Sequence, residues 1–137
     1  MKEVRFKIPM LPPSINETYK INYHKKNCYL SAKARDFKFK CKLVTPKLEF
    51  PAGTKLETVF IYHGKWHYKN GNIKRKDGYN LDKVLADAVF EKLGIDDSLA
   101  FKGRWEKVED EEEFTEVIIR GYVEDTKKEN KSECRLL

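Results

Sequence analysis

The sequence predicts one α/β domain of the α+β kind, a mixed β-sheet carrying two main helices in the order β-α-β-α-β-β. Three observations carry this. Short runs of β-branched and aromatic residues recur at the start, middle and end of the chain. Two intervening segments place apolar residues at helical spacing. The length, 137 residues, is that of a single domain with a core of its own.

Each element has a local cause. Val4, Phe6 and Ile8 alternate as a strand does, and Pro9 with Pro12-Pro13 ends it. Residues 14–29 read as an ordered loop, rich in basic and aromatic groups: Asn16, Tyr19, Asn22, Tyr23, His24, Lys25, Lys26 and Tyr29. Ser31 is placed to cap a helix over 32–44, with Ala34, Phe37, Cys41 and Val44 on its buried face and Pro46 beyond its end. Pro51-Ala52-Gly53 is a turn. From Leu56 to Tyr62 both faces are apolar or β-branched, which predicts a central strand. Residues 63–76 interleave Lys65, His67, Lys69, Lys74, Arg75 and Lys76 with Trp66 and Tyr68 around an Asn70-Gly71 turn. A nucleic-acid strand could lie along them.

The second helix follows, with Asn80 as its expected N-cap, Leu81, Val84, Leu85, Ala88 and Val89 as its apolar stripe, and Gly94 closing it. Two strands, about 99–108 and 114–123, complete the domain at residue 123. The Glu109–Glu113 run between them reads as a solvated hairpin tip rather than a metal site. Residues 124–137 read as a polar, flexible tail.

Composition narrows the function. No apolar run approaches the length of a membrane span, and the N-terminus lacks a secretion signal, which together point to the cytoplasm. Cys28, Cys41 and Cys134 have no metal-binding spacing and suit reduced thiols. Charge is unevenly spread. Residues 1–76 hold 18 Lys/Arg against 5 Asp/Glu, whereas residues 77–137 hold 10 against 17. A basic first half suits a phosphate backbone, although lysine-rich surfaces also serve solubility.

The second helix also bears a polar stripe: Asn80, Lys83, Asp87 and Glu91 lie beside the apolar one. Asp77 precedes the helix, and Asp96-Asp97 follow it. Spacing alone leaves two readings open. Lys83 and Asp87 can be an ordinary i,i+4 pair and Asp96-Asp97 a plain turn. Alternatively the carboxylates form an acidic metal site, but a helix of about 14 residues is roughly 21 Å long. Asp77 and Asp97 meet within one chain only if the segment after Gly94 doubles back along the polar stripe.

The string Asp77-x-x-Asn80-Leu81-x-Lys83-x-x-x-Asp87-Ala88, followed by Gly94-Ile95-Asp96-Asp97, resembles the core motif of the RusA family of Holliday junction resolvases. Upstream, Pro12-Pro13-Ser14-x-Asn16-x-x-Tyr19 and Ser31 resemble that family's N-terminal signature, and the likeness spans roughly residues 4–123. The resemblance implies a RusA-like fold and a homodimeric endonuclease that cuts four-way DNA junctions in recombination and repair with Mg²⁺, or Mn²⁺, as cofactor. It implies Asp77, Lys83 and Asp97 as catalytic residues, with Asp77 and Asp97 as metal ligands, Asp87 as a third ligand or a supporting group, and Asp96 as the substitute for Asp97. Asn16, Tyr19, Lys25, Lys26, Lys69, Lys74, Arg75 and Lys76 are the expected DNA contacts. The chain departs at Tyr79, where family members carry a catalytic carboxylate; Asp87 or Asp82 is then expected to supply the missing oxygen. Two other readings stay open: a non-catalytic branched-DNA binder with a site weakened at Tyr79, and a metal-dependent nuclease for other branched DNA.

Overall fold

β4 (Lys55–Gly64) lies inside the sheet because its sequence buries both faces. In the computed structural model, which describes residues 2–75 and 78–123, β4 is flanked by β6 (Phe114–Tyr122) and β5 (Ala100–Glu109), and β1 (Lys2–Ile8) lies outside β6. The sheet order is β1-β6-β4-β5. The β1/β6 and β6/β4 pairs are antiparallel and β4/β5 is parallel, so the sheet is mixed, as expected. A parallel neighbour needs a crossover, and α3 (Gly78–Leu93) supplies it between β4 and β5.

Alternation along the strands sorts the two faces. Leu56, Phe60 and Tyr62 of β4, Val117 and Ile119 of β6, and Ile8 of β1 turn toward the helices. They meet Leu81, Leu85 and Val89 of α3 and Phe37 and Cys41 of α2 (Ala32–Val44). Leu81, Leu85 and Val89 are fully buried, and each contributes roughly 1.5–3 kcal/mol by leaving water. The opposite face carries a charge ladder across three strands. Arg120 donates from Nε to Glu3 at 2.5 Å and from Nη1 to Glu57 at 2.7 Å.

The expected boundaries of α2 hold, with Ser31 Oγ accepting from Ala34 N at 3.1 Å. Residues 14–29 hold more structure than a loop. Ser14 opens a short helix, α1 (Ile15–Thr18), and a two-stranded antiparallel hairpin follows, β2 (Tyr19–Asn22) with β3 (Asn27–Leu30). Asn22 Oδ1 accepts from His24 N and Lys25 N, both at 3.1 Å, and orders the hairpin's turn. The signal was the Ser14-x-x-Glu17 spacing of a capping box and the turn-forming Asn22. The expected tail, residues 124–137, lies outside the described residues.

α3 starts at Gly78, three residues before the Leu81 that an Asn80 cap implies, so Asn80 lies in its first turn and is not its cap. Gly78 packs face-on against Trp105 of β5. A Cβ there would fall well inside van der Waals contact of the indole ring. At the other end Gly94 adopts φ +66, with Gly94 N bonded to Glu91 O and Ile95 N to Phe90 O, and the helix stops as expected.

Replacing Gly78 by alanine sets two effects against each other. Helix propensity favours alanine by at most about 1 kcal/mol, whereas forcing a methyl against a packed indole costs about 1–3 kcal/mol. The expected outcome for Gly78→Ala is a lower urea midpoint with an unchanged denaturant slope. A raised midpoint would show that Trp105 does not hold this end of α3.

Candidate nucleic-acid interface and active site

The beginning of α3 is one wall of an open cleft of about 830 Å³. Ser14, Asn16 and Glu17 of the α1 region form a second wall, and Ile73, Lys74 and Arg75 a third, with Asn80 at the helix. Two stretches more than sixty residues apart in the chain, Ser14-x-Asn16 and Asn80, thus face one space. Lys76 and Asp77, which join Arg75 to α3, lie outside the described residues.

The walls are held by ordinary local forces. Glu17 accepts from Ser14 Oγ at 3.0 Å and from Ser14 N at 3.4 Å, and Lys33 of α2 donates to its other oxygen at 3.0 Å. The Lys33 ammonium, then the Ser14 donors, lower the Glu17 carboxyl to about 2 against the cost of partial burial. Ser31 Oγ donates to Glu17 O at 2.7 Å and Ser31 N to Thr18 O at 2.9 Å, fixing the base of the β2–β3 hairpin beside the cleft.

The basic wall is a small irregular loop. Lys74 N donates to Trp66 O at 2.7 Å, Tyr68 N to Asn72 O at 2.8 Å, and Gly71 turns the chain at φ +88, as Asn70-Gly71 predicted. The end of β5, the turn after it and β6 brace this loop. Glu109 accepts from Trp66 N at 2.8 Å and pairs with His67 Nδ1 at 2.9 Å, and His67 followed by Trp66 N lowers its carboxyl. Asp110 and Glu116 each lie 3.1 Å from one ring nitrogen of His63, which stacks on Phe114. The acidic hairpin is therefore only partly a solvated tip: Glu109 and Asp110 hold the basic segment in place.

The expected site residues separate into groups. Asn16, Lys74 and Arg75 line the cleft. Tyr19 lies on β2, Lys25 and Lys26 on the hairpin turn, and Lys69 beside the Asn70-Gly71 turn, all exposed. Lys83 and Asp87 form an exposed i,i+4 pair at 3.2 Å one turn further along α3. Tyr79 is in the first turn of α3. Asp82 points elsewhere: it accepts from the buried Tyr62 hydroxyl and lines a separate recess with Thr58, Phe60, Gly103, Arg104 and Trp105. Burial raises its carboxyl above the ordinary range, and the Tyr62 donor only partly offsets this.

Asp96 and Asp97 stand at the far end of α3. Asp96 Oδ1 accepts from Ser98 N at 2.9 Å, which caps a short 3₁₀ turn over Asp97–Leu99 leading into β5. The chain does double back antiparallel to α3, but as β5, and it is Trp105 that reaches the helix start. It also returns along the Asp82 side and not along the Asn80–Lys83–Asp87 stripe. The 16 residues of α3 span roughly 24 Å, so one chain leaves Asp97 about a helix length from Asn80. No group of three or more His, Cys, Asp or Glu side chains that could hold a metal ion is present among the described residues.

Sequence reasoning did not assign Ser14 and Glu17 to the site, though the capping-box spacing marks both. A cleft with Lys74 and Arg75 on one wall, Asn16, Asn80 and the lysine-paired Glu17 on the others and an aromatic, lysine-bearing hairpin at its rim is the kind of surface that holds a phosphodiester backbone. The family comparison agrees: the model for Endodeoxyribonuclease RusA matches residues 9–120, and the chain belongs to that family. It is an endodeoxyribonuclease by that membership. A search of curated proteins finds no match, and no described helix is long and apolar enough to cross a membrane.

Glu17 gives a pH test of the wall. Its carboxyl titrates lower in the folded protein than in the unfolded chain. The stability it contributes is present above about pH 4.5 and is lost as the pH falls toward about 2. Because Glu17 is about half exposed, solvent screening keeps that contribution small. The expected outcome is a urea midpoint for Glu17→Gln below that of the parent at pH 6, with the gap closing on acidification. A gap that is the same at every pH would mean that the Lys33 pair does not matter.

Proposed function

We propose that the chain resolves four-way DNA junctions by metal-assisted phosphodiester hydrolysis in recombination and repair, acting as a homodimer. The observation that carries this reading is the convergence of Ser14, Asn16 and Asn80 with Lys74 and Arg75 in one cleft at the start of α3, next in sequence to Asp77. The basic wall suits the DNA backbone, and a carboxylate close to it in sequence suits hydrolysis of that backbone.

The donor set fits a hard cation. Asp77, Asp97, Asp87 and Asp96 are all oxygen donors, the preference of Mg²⁺ or Mn²⁺. Such a cation, when bound, lowers the pKa of water and draws charge from the phosphoryl oxygens. Asp77 and Asp97 are the proposed ligands, with Asp87 supporting and Asp96 as the substitute for Asp97. Lys83 is proposed to stabilise charge building on the phosphate, which requires it to exchange its Asp87 partner for DNA. Lys74, Arg75 and Lys76 hold the strand in register.

A homodimer would serve two ends. A four-way junction has approximate two-fold symmetry, so an isologous pair places one site on each of two opposed strands. It also answers the separation along α3. If the helices of two chains lie antiparallel, the Asp97 end of one meets the Asp77 end of the other. β5 is an outer strand running alongside α3, and its outer edge faces no strand among the described residues. Pairing of two β5 edges would bring the helices into that arrangement.

Tyr79 leaves the site one carboxylate poorer than the family pattern. The orientation of Asp82 toward Tyr62 favours Asp87 as the residue that makes up for it.

The test is a substrate panel of synthetic four-way junction, flap and linear duplex with Mg²⁺. The expected outcome is paired nicking of the junction, no cutting of the duplex, and loss of nicking with retained junction binding in Asp77→Asn. Equal cutting of flap and junction would support the broader branched-DNA nuclease. A parent that is inert with both Mg²⁺ and Mn²⁺ yet binds the junction would support a binder weakened at Tyr79.

A further inference from the structure

The β2–β3 hairpin is the most exposed aromatic feature among the described residues, and nothing described there covers it. Tyr23, in its turn, is 82% exposed, Tyr19 60% and Ile21 57%. The pairing register sorts its side chains. Tyr19 opposite Leu30 and Ile21 opposite Cys28 share one face, whereas Lys20 opposite Tyr29 and Asn22 opposite Asn27 share the other. One face is therefore apolar, and the other is polar and basic apart from Tyr29. The turn carries Tyr23, His24, Lys25 and Lys26, with Lys26 held at φ +52. From Tyr19 to Leu30 there is no Asp or Glu at all.

A two-stranded ribbon with an uncovered apolar face is marginal by itself in water, so this face is built to be covered. The charge on the ribbon says by what. Three lysines without a single carboxylate repel a second copy of the same ribbon and attract phosphate. Flat side chains beside those lysines match nucleobases that have lost a stacking neighbour. The ribbon springs from Thr18 and Ser31; Ser31 bonds to Glu17 O and Thr18 O, which places the ribbon's base on the rim of the Asn16–Lys74–Arg75 cleft.

We infer that the β2–β3 hairpin is a wedge that enters the branch point of the DNA and stacks Tyr23 and Ile21 against the bases exposed there, while Lys20, Lys25 and Lys26 hold the flanking phosphates. This rests on the proposed action on branched DNA and adds to it the element that tells a branch from a continuous duplex. A duplex offers no unstacked base, so the apolar face gains nothing from it. A branch point offers several.

The experiment uses the full-length protein in EDTA, so that DNA stays uncut, and a four-way junction with a fluorescent adenine analogue at the branch point or inside an arm. The expected result is a change of emission on binding at the branch point and none in the arm. In the Tyr23→Ala, Ile21→Ala double variant that change should vanish. Preference for junction over duplex should fall by roughly ten-fold, as for loss of a stacked base, and Tyr23→Phe should retain both. Unchanged branch-point emission with the parent fully bound would overturn the wedge while leaving junction cleavage standing. A double variant that still alters branch-point emission and keeps its preference would do the same. Sedimentation velocity supplies a further arm: a double variant that loses a dimer formed by the parent would assign the face to a second copy and overturn the inference. A parent that binds no junction at all would remove the proposed function and the wedge together. Because the parent's emission is read without any substitution, the test survives a variant that fails to fold.

Discussion

The packing of Trp105 on Gly78 is the constraint on which the arrangement of the site depends. It ties the middle of β5 to the first residue of α3, and so fixes how the chain returns after the helix. With β5 parallel to β4 and running back along α3, the helix is clamped at its start by an indole and along its length by Leu81, Leu85 and Val89. Everything around the cleft inherits its position from that clamp. Asn80 faces Asn16 and Arg75 because α3 begins where it does. Asp97 is carried to the opposite end because the same return spends a strand's length reaching Trp105.

The two charge halves of the sequence are not two halves of the molecule. Carboxylates from the acidic second half, Glu109 and Asp110, buttress the basic 63–75 segment through Trp66, His67 and His63. The basic loop is thus braced by anions. The Lys74 ammonium lies over the Tyr68 ring at 5.7 Å, and the neighbouring Glu109 carboxylate reduces the cost of gathering cations in one loop. The Glu17–Lys33 pair does similar work on the other wall.

Much of this was legible in the residues. The apolar spacing of α2 and its Ser31 cap gave that helix to the residue, and the two-sided burial of 56–62 marked β4 as interior. The cleft was foreshadowed by the Ser14-x-Asn16 and Asn80 motifs, but spacing in one dimension cannot say that two motifs share a space. The hairpin at 19–30 was hidden because its alternation is short and its apolar face is not buried, so it lacks the pattern that core burial imprints on a strand. The start of α3 was misjudged for a related reason: Asn80 and Asp77 are both good cap residues, Gly78 is a poor helix former, and the contact of Gly78 with Trp105 is tertiary, so local spacing does not choose between the two starts. The direction of Asp82 followed from Tyr62, twenty residues away, and no local rule could supply it.

In the proposed site, Asp77 and Asp97, which flank α3 in sequence, are brought together by two chains. Mixing two inactive proteins, Asp77→Asn and Asp97→Asn, tests it most directly. In a mixed dimer one site receives both substitutions and the other neither. The expected outcome is that the mixture regains nicking of a four-way junction, one strand at a time, while each protein alone stays inert. Full inactivity of the mixture, with exchange of subunits verified, would contradict it and return both carboxylates to a site within a single chain.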